Sequence, residues 1–595
     1  MDVPTFDIIL VFLVLAFILI SLYRELMGAA FTFFVAVLVL GIFGILTPPE
    51  ILAGFANQQI AVIIMLLLLG DTIRQTSVIE VIFDKVFPRS IKYKGFLGRM
   101  MIGMGAFSAF LNNTPLVAVM MPYIHQWSHR HRIAPSKLLI PLSYAAILGG
   151  CVTLIGTSTN LIVGGMVADQ NIFPDMEPLE MFDFFWVGFP MLIIGMLYLY
   201  FYSYRLLPDR KSVMEEYSNG DRKFLVEGEI RPGSPLIGKT LGETELTQID
   251  GLVLVEIIRG ERVFQLFSDL FKLQKGDLLR FAGENKNVLR LLSENWGLTL
   301  PTVGMMTKLK RTQVIEVVVS HNSTLVTKTV KEVNFRGRYD AALLALHRNG
   351  ERVKGKMDNV KLKAGDVLML LVGEAFISRA QSEQDFYIIS RVREFNRTEK
   401  YKVYALLGGT LLAILLSAVK LVPLFIGLLI VLVGVSALKV VSPKDLPKSI
   451  DYNLAAIIAM SLALGTAMSK TGVADMIADL IIQVFLPFGR VVLLLAIFGI
   501  TNVLAAYITN KAAVAIIFPI SLTSASSLGL PPEPFALVVS FAAAANFITP
   551  IGYQTNLMVY GPGNYNFKDF FKIGFPLTII YMIVTVTVLS LMYFQ

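Results

Sequence analysis

Long apolar runs alternate along the chain with short polar, basic loops, and the length of each run decides what it predicts. Runs at about 7–22, 28–46 and 58–74 approach the roughly 20 residues a helix needs to cross a bilayer. The first resembles a secretory leader, but no basic segment precedes it and no small-residue cleavage site follows, so it reads as a span. Further runs lie at about 138–166 and 184–206. After a polar interval from 207 to 400 they resume at about 402–419, 423–440, 452–468, 535–560 and 573–594, with an amphipathic stretch at 475–487.

Two segments have the wrong length. Residues 100–127 are apolar but number only 127 − 100 + 1 = 28, too few for two crossings of roughly 20 each. Lys85, Arg89, Lys92, Lys94 and Arg99 precede them, and Arg130, Arg132 and Lys137 follow. Excess Lys and Arg marks the cytoplasmic side, so both ends lie there and the segment predicts a re-entrant hairpin. Its Asn112-Asn113-Thr114-Pro115 turn then falls near mid-membrane, where non-helical backbone survives only if buried or lining a cavity. The counterpart at 490–527 is centred on Thr509-Asn510-Lys511. Its ends carry little Lys or Arg beyond Arg490, which predicts a mouth on the opposite side.

The halves repeat each other. Asn113 through Pro122 matches Asn510 through Pro519, an offset of 510 − 113 = 397. Gly156 with Thr159-Asn160-Leu161 matches Gly552 with Thr555-Asn556-Leu557, offset 552 − 156 = 396. Asp183-Phe-Phe-x-x-Gly-Phe-Pro190 matches Asp569-Phe-Phe-x-x-Gly-Phe-Pro576, offset 569 − 183 = 386. The charge pattern starts one half outside and the other inside. The expected fold is therefore a polytopic α-helical membrane protein of two inverted repeats, 1–206 and 401–595. Each has five spans plus one re-entrant hairpin, and an inserted cytoplasmic pair of small α+β domains separates them. Inverted repeats with opposed hairpins point to a secondary transporter with a midplane site, whereas a channel needs no such pair.

Composition narrows the classes. A mean hydropathy of +0.66, with 55% hydrophobic and 16% charged residues, excludes a soluble or disordered chain. The net charge of +8 sits in short loops and reads as topogenic, with no nucleic-acid partner implied beside the lipid bilayer. The single Cys151 excludes an internal disulfide and a cysteine metal cluster. No Ser/His/Asp set appears, and His125, His129 and His131 fit a wet loop, so no enzyme is expected.

Within 207–400 a shorter repeat appears. Ser234 to Leu241 aligns with Ser323 to Val330, and Leu273-Gln-Lys-Gly-Asp-Leu278 with Leu362-Lys-Ala-Gly-Asp-Val367, both at 323 − 234 = 89. Two modules, about 222–298 and 312–385, are expected, with strands at Leu252–Ile258 and Ala342–His347. They resemble TrkA-C domains, the C-terminal part of regulator-of-potassium-conductance proteins. The resemblance implies either a sensor, since some such domains bind adenine cyclic dinucleotides, or a support for dimerisation. No nucleotide cradle of the GxGxxG or GxxxxGK[ST] type is spelled there.

The candidate site lies at the hairpin tips and at two breaks, Gly156-Thr157-Ser158-Thr159-Asn160 and Gly552-Tyr553-Gln554-Thr555-Asn556. Amides, hydroxyls and helix N-termini bind an oxyanion, and freed carbonyls suit a hard cation. Candidate anion-binding residues are Asn112, Asn113, Thr114, Ser158, Thr159, Asn160, Thr509, Asn510, Lys511, Gln554, Thr555 and Asn556. A membrane-buried ammonium is costly and usually functional, so Lys511 pairs with the anion or replaces a bound cation. Asp71 beside Arg74 reads as a structural pair that leaves a proton relay open.

Paired hairpins with Asn-containing triplets and Thr-Asn-Leu breaks resemble the divalent anion:sodium symporter family. Within it the chain is most similar to the branch with TrkA-C domains between its halves, which includes sulfate transporters. The resemblance implies a homodimer in the inner or plasma membrane, held by spans at 7–46 and 402–440, and elevator-type symport of sulfate with Na⁺ or H⁺. It also implies one sodium site at Ser108, Asn112, Asn113 and Gly156, and a second at Thr509, Asn510 and Gly552. The second departs from the family pattern, because Ala505 lacks the hydroxyl of Ser108 and Lys511 stands where a Thr is expected. Three alternatives remain: a di- or tricarboxylate symporter, an aspartate-type amino-acid exchanger, and a membrane regulator that senses an anion.

Overall fold

The computed structural model describes residues 5–75 (save 25 and 57), 92–167, 176–210, 400–438, 440 and 452–594. It also describes most of 224–283, residues 298–299 and most of 313–388. The chain forms two compact units. One comprises Met1–Asp209, Val392–Tyr560 and Tyr565–Gln595, and the other Arg210–Arg391 with Gly561–Asn564.

The first unit is helical. Its first half contains α1 (Thr5–Tyr23), α2 (Ala29–Ile42), α3 (Pro48–Ala53), α4 (Gln58–Gln75), α5 (Tyr93–Ser108), α6 (Asn113–His131), α7 (Leu139–Gly150), α8 (Ser158–Val167) and α9 (Phe185–Leu206). Among the described residues, five helices are long and apolar enough to cross a membrane, or up to six if α6 and its bent continuation to Gly150 count as one. Apolar runs are sorted by burial. Every residue of α7 is buried, whereas α2 presents Phe31, Phe34 and Leu38 outward. A helix apolar all round belongs in a core, and outward apolar side chains suit lipid.

The expected hairpin at 100–127 extends further at both ends, because Tyr93–Arg99 and Ser128–His131 continue the helices beyond the apolar run. Asn112 caps α6, its side chain accepting from the Thr114 amide at 3.4 Å, as short polar side chains do at helix starts. The expected span at 138–166 is two half-helices, α7 and α8, separated by residues 151–157. Gly149 explains how α5 reaches this break. A Cβ there would stand 2.6 Å from the Gly105 α-carbon, so the two backbones touch, the usual use of small residues between membrane helices.

Strands β1 (Phe224–Ile230), β2 (Leu252–Arg259), β3 (Arg262–Phe264), β4 (Leu278–Gly283) and β5 (Leu298–Thr299) form one antiparallel sheet of the second unit, ordered β3-β2-β4-β1-β5. A second sheet comprises β6 (Gln313–Val319), β7 (Ala341–Arg348), β8 (Glu351–Arg352), β9 (Val367–Val372) and β10 (Phe386–Ile388), with the short α10 (Phe335–Tyr339) before β7. Its order is β10-β6-β9-β7-β8. Read from the other edge, the two orders correspond strand for strand. Both Gly-Asp turns have the same reason. Gly276 and Gly365 take φ of +81° and +82°, which favours glycine. Asp277 and Asp366 are buried against Arg259 and Arg348, each with its closest contact at 2.7 Å.

The second helical half contains α11 (Lys400–Ala418), α12 (Leu424–Ala437), α13 (Tyr452–Lys470), α14 (Val473–Phe485), α15 (Arg490–Tyr507), α16 (Asn510–Ser527), α17 (Glu533–Ala544), α18 (Gln554–Tyr560) and α19 (Phe567–Tyr593). The run expected at 535–560 is broken over residues 545–553. α15 alone passes the length and hydropathy requirement for a crossing, which the expected hairpin of 490–527 did not anticipate. Lys85 and Arg89, expected before the first hairpin, lie outside the described residues, as do the side chains of Asp71 and Arg74.

Candidate functional site

The two tips begin helices that pack against the opposite half: α6 on α18, and α16 on α8. At the first tip, Asn113 and Thr114 meet Tyr553 and Gln554 at the other half's break.

At the first tip, oxygens crowd together. Ser108, the last residue of α5, lies 2.6 Å from the Ala146 carbonyl and hydrogen-bonds the Asn113 side-chain oxygen. A hydroxyl has one proton, so it donates to only one of these two acceptors. The Asn113 amide nitrogen donates to Tyr553 at 2.9 Å, and Tyr553 lies 2.7 Å from the Thr157 hydroxyl. Thr114 donates to Gln554 Oε1 at 3.0 Å. Gly150 faces this cluster with no side chain. A Cβ there would meet both polar atoms of the Asn113 amide at 2.8 and 2.9 Å, and the Gly156 carbonyl oxygen at 3.0 Å.

Behind the tips, the two Thr-Asn-Leu asparagines act as braces. Asn160 donates from Nδ2 to the Thr153 carbonyl at 2.8 Å, and its Oδ1 accepts from Ser540 at 2.7 Å. Asn556 does the same in mirror fashion, donating to Asn546 O at 2.8 Å and accepting from Ser143 at 2.7 Å. Each amide stitches its own break together and ties it to the other half. Both are fully buried. Each amide nitrogen also reaches a second carbonyl, Gly150 O for Asn160 and Thr549 O for Asn556, so both residues, expected in the anion set, have every amide group engaged within the protein.

The second tip differs chemically. Thr509 caps α16 by accepting from Ala512 N at 3.2 Å. The Asn510 side-chain oxygen is buried with no hydrogen-bond partner among the described residues, where Asn113 has Ser108. The residue matching Ser108 is Ala505, at 505 − 108 = 397. Lys511 is half-buried in the first turn of α16.

The remaining sequence-predicted residues fall around this cluster. Asn112 is exposed, and Ser158 and Gln554 are half-buried at the N-termini of α8 and α18. Thr555 is buried, 2.8 Å from Ser143. Thr159 is buried, its hydroxyl without a hydrogen-bond partner among the described residues. Gly156 and Gly552 lie within the breaks. The structure thus joins Ser108, Asn113, Thr114, Gly156 and Gln554 into one locus.

The whole chain can now be compared with known proteins. A citrate transporter family model matches residues 13–436 and 411–595. The chain belongs to the citrate transporter family. Over 99% of its length it is 32% identical to an uncharacterized transporter of Synechocystis sp., covering 97% of that protein. It is 30% identical, over 96% of the chain and 99% of the relative, to a Chlamydomonas reinhardtii protein named as a candidate sulfur deprivation response regulator. It is also 26% identical to sodium/sulfate cotransporter 2 of the same alga, across 92% of the chain and 85% of the relative. This chain, with its apolar helices, is a multi-pass membrane transporter of an anion-transporting family.

Tyr553, Ser143, Ser540 and Asn546 were missed by sequence reasoning. Ser143 and Ser540 stand at the same offset, 540 − 143 = 397, as the two tip asparagines. Extending the repeat alignment across α7 and α17 finds them.

Proposed function

We propose that this family member is a sodium-coupled symporter of sulfate, with the anion bound between the two tips. The crowding at Ser108 supports the cation. Its hydroxyl faces the Asn113 and Ala146 oxygens with one proton to share, and a hard cation is what lets several oxygens converge. These ligands are neutral. Neutral hydroxyls, amides and carbonyls coordinate Na⁺ but neither gain nor lose a proton near neutral pH, which favours sodium over H⁺. The half-buried Lys511 and the helix starts at Ser158 and Gln554 supply positive potential for an oxyanion. The name of the algal cotransporter favours sulfate over the citrate for which the family is named.

On this reading the helical halves are inverted repeats, and α5–α8 with α15–α18 move as one body against a dimeric scaffold of α1, α2, α11 and α12. Residues 207–400 form the cytoplasmic TrkA-C pair, which supports the dimer or binds a nucleotide. The test is uptake of labelled sulfate into proteoliposomes under imposed Na⁺ or H⁺ gradients, for wild type and Lys511→Ala. Uptake that follows the Na⁺ gradient and collapses in the variant is the expected result. Uptake following only H⁺ overturns sodium coupling, and transport of citrate or succinate in place of sulfate overturns the substrate.

One observation favours a second reading. The relative named for sulfur deprivation response raises an anion sensor, which binds sulfate without moving it. Saturable sulfate binding with no flux under either gradient selects that reading.

A further inference from the structure

The two halves are built alike but are not chemically alike at their breaks. Asn160 reaches back ten residues to the Gly150 carbonyl, and Asn556 reaches back ten residues to Asn546. This equates Gly150 with Asn546. In the first half the equivalent position is bare, and the Asn113 amide, bonded to Ser108, and the Gly156 carbonyl oxygen lie against it. In the second half a whole side chain stands there. A Cβ on Gly552 would fall 1.9 Å from the Asn546 amide nitrogen and 2.4 Å from its oxygen, so the Asn546 amide lies directly on the Gly552 α-carbon.

That amide is also fully engaged. Its nitrogen donates to the Ala505 carbonyl at 2.7 Å, and its oxygen accepts from Thr549 at 3.2 Å. Asn546 is 1% exposed. Its N–H group thus occupies a carbonyl at the end of α15, while Ala505 offers no hydroxyl and Asn510 Oδ1 has no partner among the described residues. Lys511 adds fixed positive charge to the same tip. The Asn546 side chain fills the space that the first half leaves open at Gly150, and its amide ties up the Ala505 carbonyl that a cation would need as a ligand.

We propose that Asn546 stoppers the second cation pocket, so that one sodium ion, held in the first half at Ser108 and Asn113, accompanies each anion. The proposal rests on the symporter reading above. The asymmetry makes each loaded cycle with a divalent anion carry net charge, Lys511 being a fixed part of the carrier.

The test uses the full chain in proteoliposomes, with sodium-22 and labelled sulfate counted together, and sodium-22 binding in detergent. Wild type is expected to move about one sodium per sulfate, with a sodium Hill coefficient of about 1. Ser108→Ala is expected to lose saturable sodium-22 binding altogether, and residual saturable binding in that variant overturns the proposal. A ratio of about two in wild type does so as well. The triple variant Ala505→Ser, Lys511→Thr, Asn546→Gly is expected to raise the ratio and the Hill coefficient to about 2. A folded, active triple variant that stays near one overturns the role of Asn546. Should that variant not assemble, the wild-type ratio and Ser108→Ala decide alone. Absence of any sodium binding in wild type falls on the symporter reading itself and takes this proposal with it. A count of two falls on this proposal alone.

Discussion

Tyr553 is the residue on which the first tip depends most directly. Its hydroxyl joins Asn113 to Thr157 across the two halves, and only the oxygen does so, not the ring. Tyr553→Phe leaves the Asn113 nitrogen without that partner, a loss of about 1–3 kcal/mol for a buried donor. We expect sodium affinity to weaken roughly 10-fold or more, read as a raised half-saturating Na⁺ concentration for sulfate uptake, with unchanged elution on size exclusion. A separate residue sets a pH response in the second unit. Burial pushes the Glu316 carboxyl up from 4.5 to about 7, so the folded protein keeps a proton there that the unfolded chain has lost. Stability therefore falls as pH rises from about 4.5 to 7, by about 1.4 kcal/mol per unit at most. Glu316→Gln is expected to flatten that slope, giving a higher Tm than wild type at pH about 8 and little difference near pH 4.5. Equal Tm differences at both pH values would contradict this.

At the scale of elements, helix α5 buries Phe96, Met100 and Met104 and meets α7 backbone to backbone at a glycine contact. A Cβ at Gly149 would stand 2.4 Å from the Gly105 carbonyl oxygen and 2.6 Å from its α-carbon, and backbone cannot step aside as a flexible side chain can. Gly149→Ala is expected to displace α5, carry Ser108 away from Ala146 O, and lower stability by about 1–3 kcal/mol. Uptake and thermal unfolding of the purified variant check this, and wild-type transport would show that the contact positions nothing. The braces are the other element-scale device. Ser540 with Asn160, and Ser143 with Asn556, bond across the halves at 2.7 Å each. A double-mutant cycle of Ser540→Ala with Asn160→Ala should return a coupling of about 0.5–3 kcal/mol.

The molecule as a whole permits a clean test of access to the site. The native thiol, Cys151, is 1% exposed, so it offers little to a bulky reagent. Asn112, at the first tip, is exposed. Asn112→Cys should be the one site labelled by a membrane-impermeant maleimide. On the alternating-access reading, saturating sulfate with Na⁺ changes its labelling rate by several-fold, because ligands redistribute the two access states. A rate indifferent to both ligands would argue for a static site.

Much of this is legible in the sequence. Apolar run lengths located the helices, since a chain in lipid must satisfy its backbone bonds within each segment. The matched Asn113 and Asn510 pointed to both tips, because short polar side chains in such surroundings seldom lack a role. Run length said nothing of where the runs at 138–166 and 535–560 break; the polar stretches at 156–160 and 552–556 marked both places, and the structure opens the breaks over 151–157 and 545–553. Only tertiary structure decided that Asn160 and Asn556 are braces, that Tyr553 reaches the opposite tip, and that Asn546 fills what Gly150 leaves open. The braces and the Tyr553 contact depend on groups some 400 residues apart meeting in space, and the Asn546 stopper on an amide folded over Gly552 and onto the Ala505 carbonyl, partners that one-dimensional spacing does not specify.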